Sequence, residues 1–205
     1  MSNSVWTFSF FNKGIPVIKT LLATLLTNSL LFGASTVLAE KKQTSNAFKQ
    51  ELILHGISFK VTSQANKLRI APSGLKIDNS PIERDIGGTV TGADIGDINI
   101  DRSPEIYVYI KDAKGGVSLL AYSANKKKSL SEIYLPPFID NPKLSKGYRG
   151  HNDVAMVEGV LVQRFPIYKD TDRDEKPTGG TRQLQYKLTQ GEANWILKLD
   201  KVLEF

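Results

Sequence analysis

Two stretches of the chain concentrate side chains able to do chemistry. The first is Ser145-Lys146-Gly147-Tyr148-Arg149-Gly150-His151-Asn152-Asp153, where a hydroxyl, an imidazole and a carboxylate follow one another closely. Ser145, His151 and Asp153 would serve as nucleophile, base and orienter only if held in line. Such a triad is normally assembled from separate elements of a rigid scaffold, and Ser145 lacks the glycine-flanked elbow that exposes a hydrolase serine. Recognition is the stronger reading. Gly147 and Gly150 let the backbone form a narrow tip, and Tyr148 offers a large, stiff ring with a polar end. A tyrosine folded back onto the body of the protein, with the glycines merely making a turn, fits the composition equally well.

The second stretch is Asp97-Ile98-Asn99-Ile100-Asp101-Arg102-Ser103-Pro104-Glu105. Oxygen-bearing side chains at alternate positions, followed by an acid, are the layout of calcium loops. Arg102 stands where such loops usually place glycine, and it adds a positive charge. An Asx-rich turn leading into a strand over 105–111 accounts for the same residues and is preferred. No metal or other cofactor is therefore expected, and Asp97, Asn99, Asp101 and Glu105 are the residues that would hold a metal. The run 170–174 has neither the mid-loop glycine nor the closing glutamate and reads as a solvated hairpin tip.

These loops need a scaffold, and the chain first has to be trimmed to it. Lys13 and Lys19 precede an uncharged, leucine-rich run over 21–32, and Val37-Leu38-Ala39 supplies small residues for cleavage. That is the layout of a secretory signal over 1–39. Thr24, Thr27, Asn28 and Ser29 interrupt the run, which falls short of the roughly 20 apolar residues of a membrane span. The expectation is a periplasmic protein with no membrane attachment after cleavage. A polar leader over 40–47 and a single domain over 48–205 follow. The signal removed, residues 1–39, carries two lysines and no acids, so the formal charge falls from +6 to +4. This mild excess is spread along the chain and does not form the concentrated basic face of a nucleic-acid binder. The absence of cysteine excludes thiol nucleophiles, zinc–cysteine sites and dithiol redox chemistry.

From Phe48 onward apolar residues recur with a period of two. Ile57/Phe59/Val61, Ile106/Val108/Ile110, Leu184/Tyr186/Leu188 and Trp195/Leu197/Leu199 all alternate with polar neighbours. Short alternating runs are half-buried strands, and the Gly-, Pro- and Asn-rich breaks between them carry turn chemistry. The pattern predicts roughly eight to eleven strands in an all-β antiparallel sandwich or flattened barrel. Short helices are expected at most over 44–53 and 128–134. His55 lies in a strand pattern and reads as partly buried, and Trp195 reads as core. Tyr107 and Tyr109 face away from Ile106, Val108 and Ile110. They form either a second packed layer or a subunit contact, which would make the protein a homodimer. The segment 136–152 interrupts the rhythm with three prolines and two glycines, and a long irregular connection is more often functional than idle.

Several blocks carry a family resemblance. They are GGTVTGADIGDINIDRSPEIYVY from Gly87, SLLAYSANKKKSLSEIYLPP from Ser118, KGYRGHNDVAMVEGVLVQRFPIY from Lys146, TGGTRQLQYKL from Thr178 and GEANWILKLDKV from Gly191. Together they resemble the periplasmic inhibitors of invertebrate-type (I-type) lysozyme, over about residues 50–205. The resemblance implies a β-sandwich, a lysozyme as partner, no catalytic activity, and an inhibitory loop. That loop places a serine and a tyrosine, three positions apart, into the lysozyme cleft. Ser145 and Tyr148 have that spacing, with Lys146, Gly147, Arg149 and His151 completing the loop. A lysozyme cleft pairs a protonated with an ionised carboxyl group. Neutral hydroxyls meet both without the desolvation cost of a buried cation, which leaves Lys146 and Arg149 for the rim. At +4 the mature chain gains no long-range attraction to a basic lysozyme. The competing expectation is a carbohydrate- or wall-binding module, which needs Tyr107, Tyr109 or Trp195 on the surface.

Overall fold

The period-two pattern becomes strand almost everywhere it occurs. The computed structural model describes residues 47–173 and 176–205, so the expected signal (1–39) and nearly all of the leader lie outside the described residues. A four-stranded meander comes first: β1 (Phe48–Leu54), β2 (Ile57–Gln64), β3 (Lys67–Ser73) and β4 (Ile82–Asp85). The rest of the chain supplies β5 (Thr89–Gly96), β6 (Glu105–Lys111), β7 (Val117–Ser123), β8 (Ser131–Tyr134), β9 (Asp153–Val157), β10 (Val160–Pro166), β11 (Thr181–Gln190) and β12 (Trp195–Glu204). These form one eight-stranded sheet in the order β5-β6-β7-β8-β12-β11-β10-β9. It is nearly closed, so the molecule is an all-β sandwich or flattened barrel. Among the described residues the only α-helix is the single turn α1 (Pro142–Ser145), and no helix is long and apolar enough to cross a membrane.

Two hydrophobic clusters share one strand. Ile106, Val108 and Ile110 of β6 pack with Phe59, Val61, Leu68 and Ile70 of the meander. From the opposite face of β6, Tyr107 and Tyr109 pack with Leu161, Phe165, Leu184, Tyr186 and Leu197. The two tyrosines are therefore a second packed layer within the chain. At 0% and 8% exposure they are unavailable for a subunit contact. Buried phenols need partners; Tyr109 Oη donates to Asp94 Oδ2 at 2.8 Å and Tyr107 Oη lies 3.5 Å from Glu105 Oε2.

Several expectations are corrected. No helix forms within 47–53: Phe48, Gln50, Leu52 and Leu54 alternate with exposed neighbours in β1, and period two wins over helical propensity. Over 128–134 the helical turn is displaced to Asn125–Lys127, and Ser131–Tyr134 is strand β8. The sheet is not wholly antiparallel either. β12 runs parallel to β8, a pairing open to it because the intervening chain is long enough for a crossover. His55 is no strand residue. It shares the two-residue β1–β2 turn with Gly56, at φ 51° and 80°, the double positive-φ geometry that suits the twist of a tight hairpin. Trp195 is half-buried, packed against the edge of the second cluster.

Candidate functional site

The segment between β8 and β9 is held down rather than projected. Its single helical turn starts where Asn141 caps with its side chain, accepting from Lys143 N at 3.0 Å, and Pro142 pre-sets the backbone. Ser145 closes that turn, and its Oγ donates to Asn141 O at 3.1 Å. Arg182, buried on β11, donates from one guanidinium nitrogen to the carbonyls of Leu144 and Lys146, while its Nε meets Glu204 at 2.8 Å. Gly147 then turns at φ 77° with its carbonyl accepting from Tyr168 N at 2.8 Å. A Cβ there would lie 2.6 Å from Ile167 Cγ2 and 2.8 Å from Tyr168 O. Glycine is needed for space as well as for angle.

Tyr148 folds back. Its ring makes edge-on contacts with Phe138 and Phe165 at 4.9 and 5.0 Å between centroids. Its hydroxyl donates to Asn152 Oδ1 at 2.7 Å, and Asn152 Nδ2 donates in turn to Val117 O at 2.6 Å. Burial, with the charge of Asp112 behind it, pushes the Tyr148 hydroxyl above its ordinary pKa and keeps its proton in place. Both hydroxyls of the Ser145/Tyr148 pair therefore spend their hydrogens inside the chain, each keeping acceptor capacity on its oxygen. Of the two readings left open for Tyr148, the folded-back tyrosine is the one the geometry adopts. Lys146, Arg149 and His151 are exposed. Arg149 lies over the Tyr168 ring at 5.0 Å and bonds to the carbonyls of Lys169 and Asp172. His151 takes φ 61° beside Gly115. Ser145, His151 and Asp153 are not hydrogen-bonded to one another: Asp153 Oδ1 accepts from Val154 N. The expected projecting finger is thus a stapled ledge with a cationic outer edge.

The loop from β5 to β6 brings its acids together. Asp97, Asp101 and Glu105 each offer a carboxylate oxygen within 4.8 Å of the others. The expected Asx turns are present as well. Asp97 accepts from Asp101 N and Arg102 N, both at 2.9 Å, and Asp101 from Ser103 N at 2.7 Å. Asn99 spans the loop to Asp101 Oδ2 at 3.1 Å. Glu105 is fully buried at the start of β6, with Oε2 accepting from Ile98 N at 3.0 Å. Burial, opposed by that bond and reinforced by Asp97 and Asp101, pushes its carboxyl pKa up to about 8. His55 Nε2 reaches Asp97 Oδ2 at 3.2 Å from the β1–β2 turn. In the run 170–174, Asp172 caps its own turn, accepting from Lys169 N and from both Thr178 N and Oγ1.

Fold and loops define an all-β protein with an ordered cationic ledge and a separate acidic loop. Comparison with protein-family models, curated proteins and solved structures finds no match. The residues that hold the ledge, namely Asn141, Phe138, Phe165 and Arg182, were not singled out from the sequence. The lone arginine in the otherwise alternating TRQLQYKL strand was the available signal.

Proposed function

We propose that the protein is a periplasmic, stoichiometric inhibitor of an I-type lysozyme, and that the 141–152 ledge is the surface that enters the cleft. The observation that carries this reading is the fixing of the ledge by Arg182, Asn152, Gly147 and the Phe138–Tyr148–Phe165 cluster. A binding loop ordered in advance avoids the entropy of ordering on contact. The sequence resemblance supplies the partner class. With their hydrogens already committed, Ser145 and Tyr148 would act as acceptors. One of them would accept the single proton of the cleft's protonated general acid, the other would need a different donor, and the ionised neighbour would meet neither. Lys146 and Arg149 at the rim suit an acidic groove and chiefly speed encounter. Two hydrogen bonds of about 0.5–1.5 kcal/mol each fall far short of the roughly 12 kcal/mol of nanomolar binding, so shape-matched burial carries most of the affinity. The wall-binding alternative loses support, since Tyr107 and Tyr109 are buried and Trp195 is half-covered.

A cell-wall clearing assay with I-type lysozyme and the two other animal lysozyme classes tests the proposal. Inhibition of the I-type enzyme at micromolar protein is expected. Tyr148→Ala should weaken it by about 2 kcal/mol, roughly 30-fold, because it removes the ring and hydroxyl that hold the ledge ordered in advance. Absence of inhibition of every class at micromolar protein rejects the reading.

A further inference from the structure

The geometry points to a calcium site in the β5–β6 hairpin, formed by Asp97, Asn99, Asp101 and Glu105. It is independent of the proposed inhibitory ledge. Clustered acids alone would not establish it, because the Asx turns explain why Asp97 and Asp101 point inward. Glu105 is the second observation. Its side chain is 0% exposed, and its Oε1 has no hydrogen-bond partner although it is wholly sealed from solvent. Directly across the β6–β7 ladder, Ser123 is also 0% exposed with an unpartnered Oγ. Buried polar atoms are nearly always paired, by protein, water or an ion. A cation held by the three clustered carboxylates would give this buried carboxyl a partner.

The ligand chemistry selects calcium. The residues stand at positions one, three, five and nine of the loop, positions that calcium loops use; Val108 stands at the twelfth position, so Glu105 would have to supply the closing carboxylate. All donors are hard oxygens, with no nitrogen or sulfur ligand of the kind zinc favours. His55 Nε2 lies 3.2 Å from Asp97 Oδ2, one of the two oxygens of that carboxylate. The missing glycine is no obstacle. Arg102 already holds the left-handed turn at φ 63°, and its side chain is exposed. The N–H bonds received by Asp97 leave lone pairs for a metal, since each carboxylate oxygen accepts more than once.

Protein stripped with a chelator and titrated with CaCl2 should show one saturable site with a dissociation constant of about 1 mM or tighter, the range of extracellular calcium modules. Calcium in hundredfold excess over that constant should raise the thermal midpoint by about 5–10 °C. MgCl2 at equal concentration should leave the midpoint in place, because magnesium dehydrates reluctantly and demands an octahedron. Tb3+ should show luminescence sensitised by the adjacent Tyr107, displaced by calcium. Asp101→Asn keeps the acceptor for Ser103 N and should weaken calcium at least tenfold. The proposal is overturned by an unchanged midpoint at about 10 mM calcium, by an equal response to magnesium, or by an equal response of the variant. Should the variant not fold, terbium luminescence that calcium fails to displace from the unaltered protein overturns it as well.

Discussion

Glu105 shows how a single side chain can couple fold to solution conditions. In the unfolded chain its carboxyl ionises near the ordinary 4.5, whereas burial holds the proton in the folded protein until about 8. Below pH 4.5 both states carry the proton. Between 4.5 and 8 only the unfolded chain releases it, so each step upward in pH favours unfolding. Chelator-treated protein should therefore lose urea resistance progressively from pH 5 to 8, and Glu105→Gln should flatten that slope. An equal slope in both proteins would place the pH sensitivity elsewhere. The candidates Asp97, Asn99, Asp101 and Glu105 were legible from their spacing. That Glu105 would be sealed under the sheet was not, because its burial depends on how β6 is covered by remote strands. The same limit applies to Tyr148. Its type and flanking glycines marked it, but its partners Phe138, Phe165 and Asn152 are assembled only by the fold.

At the scale of elements, most strands could be read from alternation, and the misreadings fall where alternation is short or shared. β1 is a run of apolar and charged residues that also suits a helix, and pairing with β2 along its full length decides for strand. β8 is only four residues long, too short for a period to declare itself. The ledge depends on a neighbouring element in a way no local pattern discloses. Arg182 on β11 binds two carbonyls of the α1 segment from beneath, with its side chain only 8% exposed. Charged hydrogen bonds of this kind contribute about 1.5–3 kcal/mol each. Arg182→Met keeps the aliphatic bulk but leaves those carbonyls unpaired. The variant should remain folded by circular dichroism while amides of the 144–148 backbone exchange at least tenfold faster, the equivalent of about 1.4 kcal/mol of lost local stability. If the proposed inhibitory role holds, lysozyme inhibition should fall with it. Unchanged exchange would mean that the aromatic cluster alone holds the ledge.

The whole molecule turns on β6, the strand whose two faces belong to different clusters. A strand buried on both sides reads in the sequence as Ile-Tyr-Val-Tyr-Ile, and its aromatic half permitted two readings until the second cluster was seen to close over it. Because Ile106 and Tyr107 are neighbours serving opposite layers, the meander and the curled part of the large sheet cannot lose their packing independently. Loss of either layer strips one face of the same strand. Ile106→Ala, in the first cluster, and Leu184→Ala, in the second, remove fully buried side chains and should each cost about 2–5 kcal/mol. Both should shift one common thermal transition, by about 2–4 °C per kcal/mol for a domain of this size, with calorimetric and van't Hoff enthalpies in agreement. Two separable transitions, with Ile106→Ala moving only one and Leu184→Ala only the other, would show that β6 does not bind the layers into one cooperative unit.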